Sequence, residues 1–222
     1  MTHSIQNPVR KIPISTRSIT GTKPGGERFE SLLEADLMDI LRFDINVAKF
    51  IPQPIAIPFV DDQGKERSYT PDILIYHRKD ILPAKNLPTI LGEVKYRDDL
   101  RENFKEYRLK FKAAIRYAKE QGWVFRIFTE REIRTPYLEN AKFLLRYQNL
   151  DPYPDPSVIF RILDKVQDLR ETDVETLLVA LCQDKWNQAM LLPVIWNLVA
   201  TRKIGNDLQI PITMRSRIWT MR

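Results

Sequence analysis

Two apolar runs, Ile73-Leu-Ile75 and Thr89-Ile-Leu91, each end in charged residues, and this constrains the chain more than any other feature. Apolar side chains on consecutive positions put hydrocarbon on both faces of an extended strand, so each strand needs cover on both sides. Asp72 stands before the first run, and Gly92-Glu93-Val94-Lys95 follows the second. Charged groups at the ends of such strands are costly to dehydrate unless they pair or hold a cation. Side chains two apart on a strand emerge on one face, so Glu93 and Lys95 point the same way. The expected fold class is α/β: a buried sheet flanked by helices, with a polar constellation at one end.

Two carboxylates and a lysine match the needs of metal-dependent phosphodiester hydrolysis. The attacking water must lose a proton near neutral pH, and charge on the phosphorus must be stabilised; carboxylate-held Mg²⁺ can serve both ends. Mg²⁺ keeps several waters, so two or three carboxylates suffice, and Mn²⁺ can substitute. Asp72 and Glu93 on neighbouring strands could share one ion, with Lys95 beside it to orient the water or steady the negative charge. Glu-x-Lys by itself is common and usually marks a solvated strand face. Pro71-Asp72 and the flanking apolar runs are what lift this instance above that reading.

The rest of the composition closes other routes. The 222 residues, 43% hydrophobic, suffice for one large domain or a medium one plus a small one. Lys+Arg number 35 against 29 Asp+Glu, a net charge of +6 that favours an anionic partner such as nucleic acid. No Gly-x4-Gly-Lys loop is present, and two histidines with one cysteine cannot build the usual zinc site. Cys182 alone excludes an intrachain disulfide and fits a reducing compartment. The most apolar run, Ala189 to Ala200, is interrupted by Pro193 and Asn197, so no membrane span is expected. No export signal is expected, since the first residues lack an apolar core.

Residues 1–27 are polar and basic, with Arg10, Lys11, Arg17 and Lys23, and read as a flexible arm. Apolar residues at helical spacing from Phe29 to Phe43 predict a helix carrying Glu34. A hairpin is expected from Ile55–Val60 and Arg67–Tyr76 around Gly64, then strands over Thr89–Tyr96 and Trp123–Thr129. Helices are expected over Leu100–Lys119 and Pro136–Tyr147. Three prolines in residues 151–156 suggest a linker after a catalytic domain of residues 28–150. Residues 157–222 read as helices, with a capping box at Thr172-x-x-Glu175, then a small hairpin at Lys203–Leu208 and Ile218-Trp219. That order describes a winged-helix-like module, with Trp186, Trp196 and Trp219 in its core.

Pro71-Asp72 with Glu93-x-Lys95, preceded by a helix bearing Glu34, resembles the PD-(D/E)xK nucleases with their restriction-endonuclease-like core. Glu30-Ser-Leu-Leu-Glu34, Phe43-Asp44, Gln53-Pro54, Tyr69-Thr-Pro-Asp72 and Glu93-Val-Lys95 are together similar to the TnsA family. These are endonuclease subunits of heteromeric bacterial cut-and-paste transposases. The resemblance implies a cytoplasmic protein that cuts the 5′ ends of transposon DNA. A TnsB-like integrase-type transposase would cut and join the 3′ ends, and a TnsC-like AAA+ regulator would meet the C-terminal domain. It assigns Asp72, Glu93 and Glu34 to the metal, Glu34 directly or through water, and makes Lys95 the catalytic lysine. Some members have Gln where this chain has Glu93. Glu34 as a surface glutamate paired to an arginine is the plainer alternative, and Gln53, held between Pro52 and Pro54, reads as a turn residue outside the catalytic set.

In the helix after Lys95, apolar Leu100, Phe104, Tyr107, Phe111, Ile115 and Ala118 are each followed by a basic residue. Arg101, Lys105, Arg108, Lys112, Arg116 and Lys119 would thus form a cationic stripe beside the core-facing one, the first five being candidates to contact a phosphate backbone. A solvated face with Glu102 and Glu106 as local partners is the competing reading. At the level of the whole chain, the rivals are a free-standing restriction or repair nuclease and a non-catalytic DNA-binding adaptor of the same fold.

Overall fold

The computed structural model describes residues 21–23 and 26–221. Most of the expected arm lies outside the described residues. Its last part is anchored: β1 (Gly21–Thr22) pairs with β2 (Arg28–Phe29), and the Lys23 ammonium meets the buried Asp39 carboxylate at 2.6 Å. The chain divides into two compact units, one reaching to Arg134 and the other starting at Thr135.

In the first unit, α1 (Leu32–Phe43) starts at a Ser31 cap and buries Leu33, Leu37, Met38 and Leu41. The chain then forms β3 (Val47–Pro52), the hairpin β4 (Ile57–Val60) and β5 (Glu66–Tyr69), and β6 (Ile73–His77). A single 3₁₀ turn at Ala84–Asn86 leads to β7 (Ile90–Val94). The long α2 (Arg97–Glu120) follows and ends before Gly122, whose φ of +71° favours a glycine. The unit closes with β8 (Val124–Phe128) and the short α3 (Glu130–Ile133).

The main sheet has the order β3-β6-β7-β8, antiparallel except for the parallel β7/β8 pair. Its two faces are both apolar, as the strand composition requires. Ile73, Ile75, Val94 and Phe128 pack against Leu33, Leu37, Met38 and Leu41 of α1. Leu74 and Leu91 pack on the other side with Ala113, Ala114 and Ala118 of α2 and with Ile57 and Tyr69 of the hairpin. Burying one large apolar side chain in this way stabilises by roughly 1.5–3 kcal/mol. The expected single run Arg67–Tyr76 is broken at Thr70-Pro71 into β5 and β6, which serve different sheets. The strand β3, at the sheet edge, adds to the elements expected from the sequence.

The core face of α2 also differs from the sequence pattern. Phe111, Ala113, Ala114 and Ala118 are buried, whereas Phe104 and Ile115 are exposed. The helix is interrupted at Asn103, where φ/ψ of −109°/15° is non-helical, so the first turns do not continue the stripe in register.

The second unit begins with α4 (Pro136–Gln148), which packs on α7 (Lys185–Ala200). Between them come α5 (Pro156–Leu169), β9 (Glu171–Asp173) and α6 (Val174–Leu181). The strands β10 (Ile204–Asn206) and β11 (Arg217–Thr220) complete a three-stranded antiparallel sheet of order β10-β11-β9. The proline-rich residues 151–156 therefore run within this unit, between α4 and α5. Prolines interrupt regular structure locally, but the Phe143–Trp196 ring contact at 5.2 Å ties α4 to the helices beyond them. The buried Asn140 adds a polar tie: its Nδ2 donates to the carbonyls of Leu208 and Ile210, and its Oδ1 accepts from the Ile212 N–H.

Three local expectations change here. The cap of α6 is Asp173, which accepts from the Thr176 N–H, since Thr172 lies in β9. The hairpin expected from Lys203–Leu208 is shorter on its first side: β10 ends at Asn206, and residues 207–216 make the connection to β11. Trp196 is buried and Trp219 half-buried, but Trp186 is 75% exposed.

Gly92 is a point of close backbone approach in the main sheet. A Cβ there would lie 2.7 Å from Ile73 Cγ2 and 2.9 Å from the Phe128 ring. Gly92→Ala should lower unfolding stability by roughly 1–3 kcal/mol in urea titration, the usual cost of overpacking a filled core.

Candidate active site

The β6/β7 ladder stops at the Ile73–Gly92 pair. One residue further, the Asp72 side chain takes over from the backbone: its Oδ2 accepts the Val94 N–H at 2.7 Å. On its other side the Asp72 carbonyl accepts the Gln53 N–H at 2.9 Å, one step past the Pro52–Ile73 pair. Asp72 is thus fixed through main chain and side chain where β6 leaves its neighbours. Alternation along the strands puts Asp72 on the Leu74 side and Glu93 and Lys95 on the Leu91 side, which is one face of the sheet.

The Lys95 ammonium lies 2.9 Å from Glu93 Oε1 and 3.8 Å from Asp72 Oδ2, so one cation bridges both carboxylates. Glu93 is 4% exposed, and the Tyr69 hydroxyl donates to its Oε2 at 2.5 Å. The Lys95 N–H donates to the Phe128 carbonyl at 3.0 Å, which extends the β7/β8 pairing to the lysine itself. Asp72, Glu93 and Lys95 are therefore brought together as the spacing predicts.

Burial pushes the Asp72 carboxyl well above its ordinary range, helped by Glu93 and, more weakly, by Glu34; Lys95 and the Val94 N–H pull the other way. Burial alone would lower the Lys95 ammonium, but Asp72 and Glu93 outweigh it and raise it above the usual lysine range. Lys95 is thus held protonated, a donor and positive charge rather than a base. Burial, and then Glu93, also raise the Tyr69 phenol, so its proton stays on the oxygen.

Glu34 lies close enough to interact electrostatically with Asp72 and Lys95, but its oxygens serve its own helix. Oε1 accepts from Ser31 Oγ and Oε2 from the Glu30 N–H, each at 2.9 Å, while the Glu34 N–H donates to Ser31 Oγ. Ser31-Leu-Leu-Glu34 is a capping-box sequence, a signal in the chain that the metal assignment passes over. Burial raises the Glu34 carboxyl, and the Glu30 and Ser31 hydrogen bonds oppose that rise.

Two more residues belong to this end of the sheet. Tyr69 sits inside the Tyr69-Thr-Pro-Asp72 motif without an assigned role, although a buried tyrosine needs a hydroxyl partner and Glu93 supplies it. Gln53, set aside as a turn residue, is 4% exposed, and its Nε2 donates to Glu30 Oε1 at 3.0 Å.

Among the described residues no three Asp, Glu, His or Cys side chains converge as a metal cluster. The pair Asp72 and Glu93 nonetheless suits a hard divalent cation. Their donors are carboxylate oxygens, their mutual repulsion raises Asp72, and the Lys95 ammonium relieves it only in part. The basic residues of α2 share that helix with Tyr107, whose ring lies 5.7 Å from the Lys95 ammonium. Arg101, Lys105, Arg108, Lys112 and Arg116 are all exposed. Arg101 pairs with Asp98 at 3.0 Å and Arg116 reaches Glu120 at 4.0 Å. Lys112 and Arg116 line a groove of about 520 Å³ against Phe59 and Val60 of the hairpin.

Two family models match the chain. The TnsA-like endonuclease N terminal covers residues 44–130, including Asp72, Glu93 and Lys95, and the TnsA endonuclease C terminal covers residues 132–208. The first match begins after Glu34. No match is found among curated proteins. Together the two domains define a DNA endonuclease. The chain belongs to the TnsA-type endonucleases and is a transposase endonuclease subunit, which implies work with DNA and with other transposase subunits. Among the described residues no helix is long and apolar enough to cross a membrane.

The raised Asp72 carboxyl fixes a sign for stability. Proton uptake favours the native state, so raising the pH above the ordinary carboxylate range weakens the metal-free fold. Asp72→Asn should therefore raise the metal-free protein's stability at pH 7, by roughly 0.5–2 kcal/mol as for other single stabilising changes. The advantage should disappear below the ordinary carboxylate range, where Asp72 is protonated in both folded and unfolded chains; thermal unfolding across acid to neutral pH reads it.

Proposed function

We propose that the chain is a Mg²⁺-dependent endonuclease that cuts the 5′ ends of a transposon within a TnsA/TnsB-type transposase. The observation that carries this is the Asp72–Lys95–Glu93 cluster at the sheet end, inside the matched TnsA-like N-terminal domain. Mg²⁺, or Mn²⁺ in its place, would supply Lewis acidity and lower the pKa of water. Asp72 and Glu93 would hold it. Glu34 would join through water, since direct ligation would have to displace its capping bonds.

The roles of the protein groups follow from their surroundings. Tyr69 fixes the Glu93 carboxylate in one rotamer by its hydrogen bond. Lys95, kept protonated by the carboxylates, donates to the phosphoryl oxygens where negative charge develops. Attack in line with the scissile bond leaves a 3′-OH and a 5′-phosphate. The exposed cations of α2, from Arg101 to Arg116, would follow the DNA backbone; Lys105, Arg108 and Lys112 have no ion-pair partner among the described residues.

The same proposal extends to the fold of both units. A four-stranded mixed sheet between α1 and α2, with its acidic end at β6/β7, supports a restriction-endonuclease-like core. The succession α5-β9-α6-α7-β10-β11 with sheet order β10-β11-β9 supports a winged-helix-like module. Its inner helix α7 is buried from Val194 to Ala200, which leaves that half unavailable for reading a DNA groove. The module is instead the part assigned to meet a TnsC-like AAA+ regulator, with a TnsB-like transposase as the strand-joining partner in the bacterial cytoplasm.

Cleavage of transposon-end DNA by the reconstituted transposase tests the proposal. Asp72→Ala should abolish 5′-end cutting, and cutting that persists would overturn the catalytic assignment. Lys95→Ala should lower the rate by roughly 10²–10³, as for loss of one donor to a developing anion. In DNA binding, Arg108→Ala and Lys112→Ala should each flatten the dependence of log K on log salt, by about 0.9 for every phosphate the variant no longer neutralises.

A further inference from the structure

Gln53 combines two unfavourable features at one position. Its φ of +46° lies in the left-handed region, which strains a residue other than glycine. Its carboxamide oxygen is buried and finds no hydrogen-bond partner among the described residues. A buried acceptor left unsatisfied forfeits its hydration and gains nothing in return. A glycine would relieve the first and an apolar side chain the second, so a turn between Pro52 and Pro54 does not by itself require glutamine.

Its other interactions place it at the site. The backbone N–H holds the Asp72 carbonyl at 2.9 Å. The Nε2 donates to Glu30, whose own N–H donates to Glu34, the residue that acts electrostatically on Asp72. Gln53 thus links β3, the start of α1 and the catalytic end of β6. Both of its nitrogens are engaged in this way, and the side-chain oxygen is the atom left over. Amide oxygens are hard neutral ligands for divalent cations and accept hydrogen bonds from the waters such cations hold.

We propose that Gln53 is a positioning residue of the cleavage site, its carboxamide oxygen serving the hydrated divalent cation that Asp72 and Glu93 hold. This rests on the nuclease reading given above. A neutral oxygen adds affinity without adding to the carboxylate repulsion already present at Asp72. Unlike a third carboxylate, it leaves no charge to desolvate when the cation is absent.

Calorimetric Mn²⁺ binding to the full chain, paired with thermal unfolding of the metal-free protein, tests this. Gln53→Gly keeps the backbone conformation at no strain, and Gln53→Met keeps the side-chain length without the carboxamide. Each variant relieves at least one unfavourable feature and loses the Glu30 hydrogen bond, so both should stay folded without metal at close to the wild-type unfolding temperature, yet bind Mn²⁺ roughly 10–100-fold more weakly, the loss typical for residues supporting a metal site. Wild-type Mn²⁺ affinity in either folded variant overturns the proposal and leaves the nuclease reading intact. A wild-type protein that binds no Mn²⁺, indistinguishable from Asp72→Ala, overturns both.

Discussion

The first unit depends on where the β6/β7 ladder ends. Backbone pairing stops at Ile73 and Gly92, and the Asp72 carboxylate receives the next free N–H, that of Val94. A side chain standing in for a carbonyl ends the pairing without leaving an orphan donor. It also brings a carboxylate to Lys95, beside Glu93. Everything else at this end is arranged around that substitution: Gly92 lets the sheet pack closely just before it, Gln53 holds the Asp72 carbonyl, and Tyr69 fixes Glu93.

The same constraint makes the site electrostatically tense. Two carboxylates share one ammonium in a poorly hydrated place, and the protonated form of Asp72 is favoured as a result. Such tension is what a divalent cation relieves, and what a fold selected for stability alone would remove. Glu34 adds to the negative potential while remaining bonded to its own helix start. One residue thereby serves both the helix cap and the field at the site, which is why local sequence does not separate its surface and metal readings.

Much of this is legible in the sequence because it rests on short-range rules. Consecutive apolar positions at Ile73–Ile75 require cover on both faces, and the two packed clusters supply it. Glu93 and Lys95 must share a face because they are two apart on a strand. Other features escape local rules for stateable reasons. The edge strand β3 carries Lys49 and Pro52 and shows no alternation, since an edge tolerates both. The α2 stripe reads as one continuous helix, but the break at Asn103 and the small Ala113, Ala114 and Ala118 move the buried face away from Phe104 and Ile115. The prolines at 151–156 mark a real interruption, yet α4 packs with the helices after it.

Sequence alone determined the groups this protein can offer: two carboxylates and a lysine beside apolar strands, in a basic chain without the residues for a disulfide or the usual zinc site. The matched TnsA families then supplied the biological setting. Only the tertiary structure decided which groups meet. Tyr69 and Glu93 are 24 residues apart, and Gln53 and Glu30 are 23 apart. Such partners are chosen by how the hairpin and the segment before α1 pack on the main sheet, which no local pattern encodes. Periodicity reports which face a side chain takes, whereas the neighbour across that face depends on the packing of the whole unit.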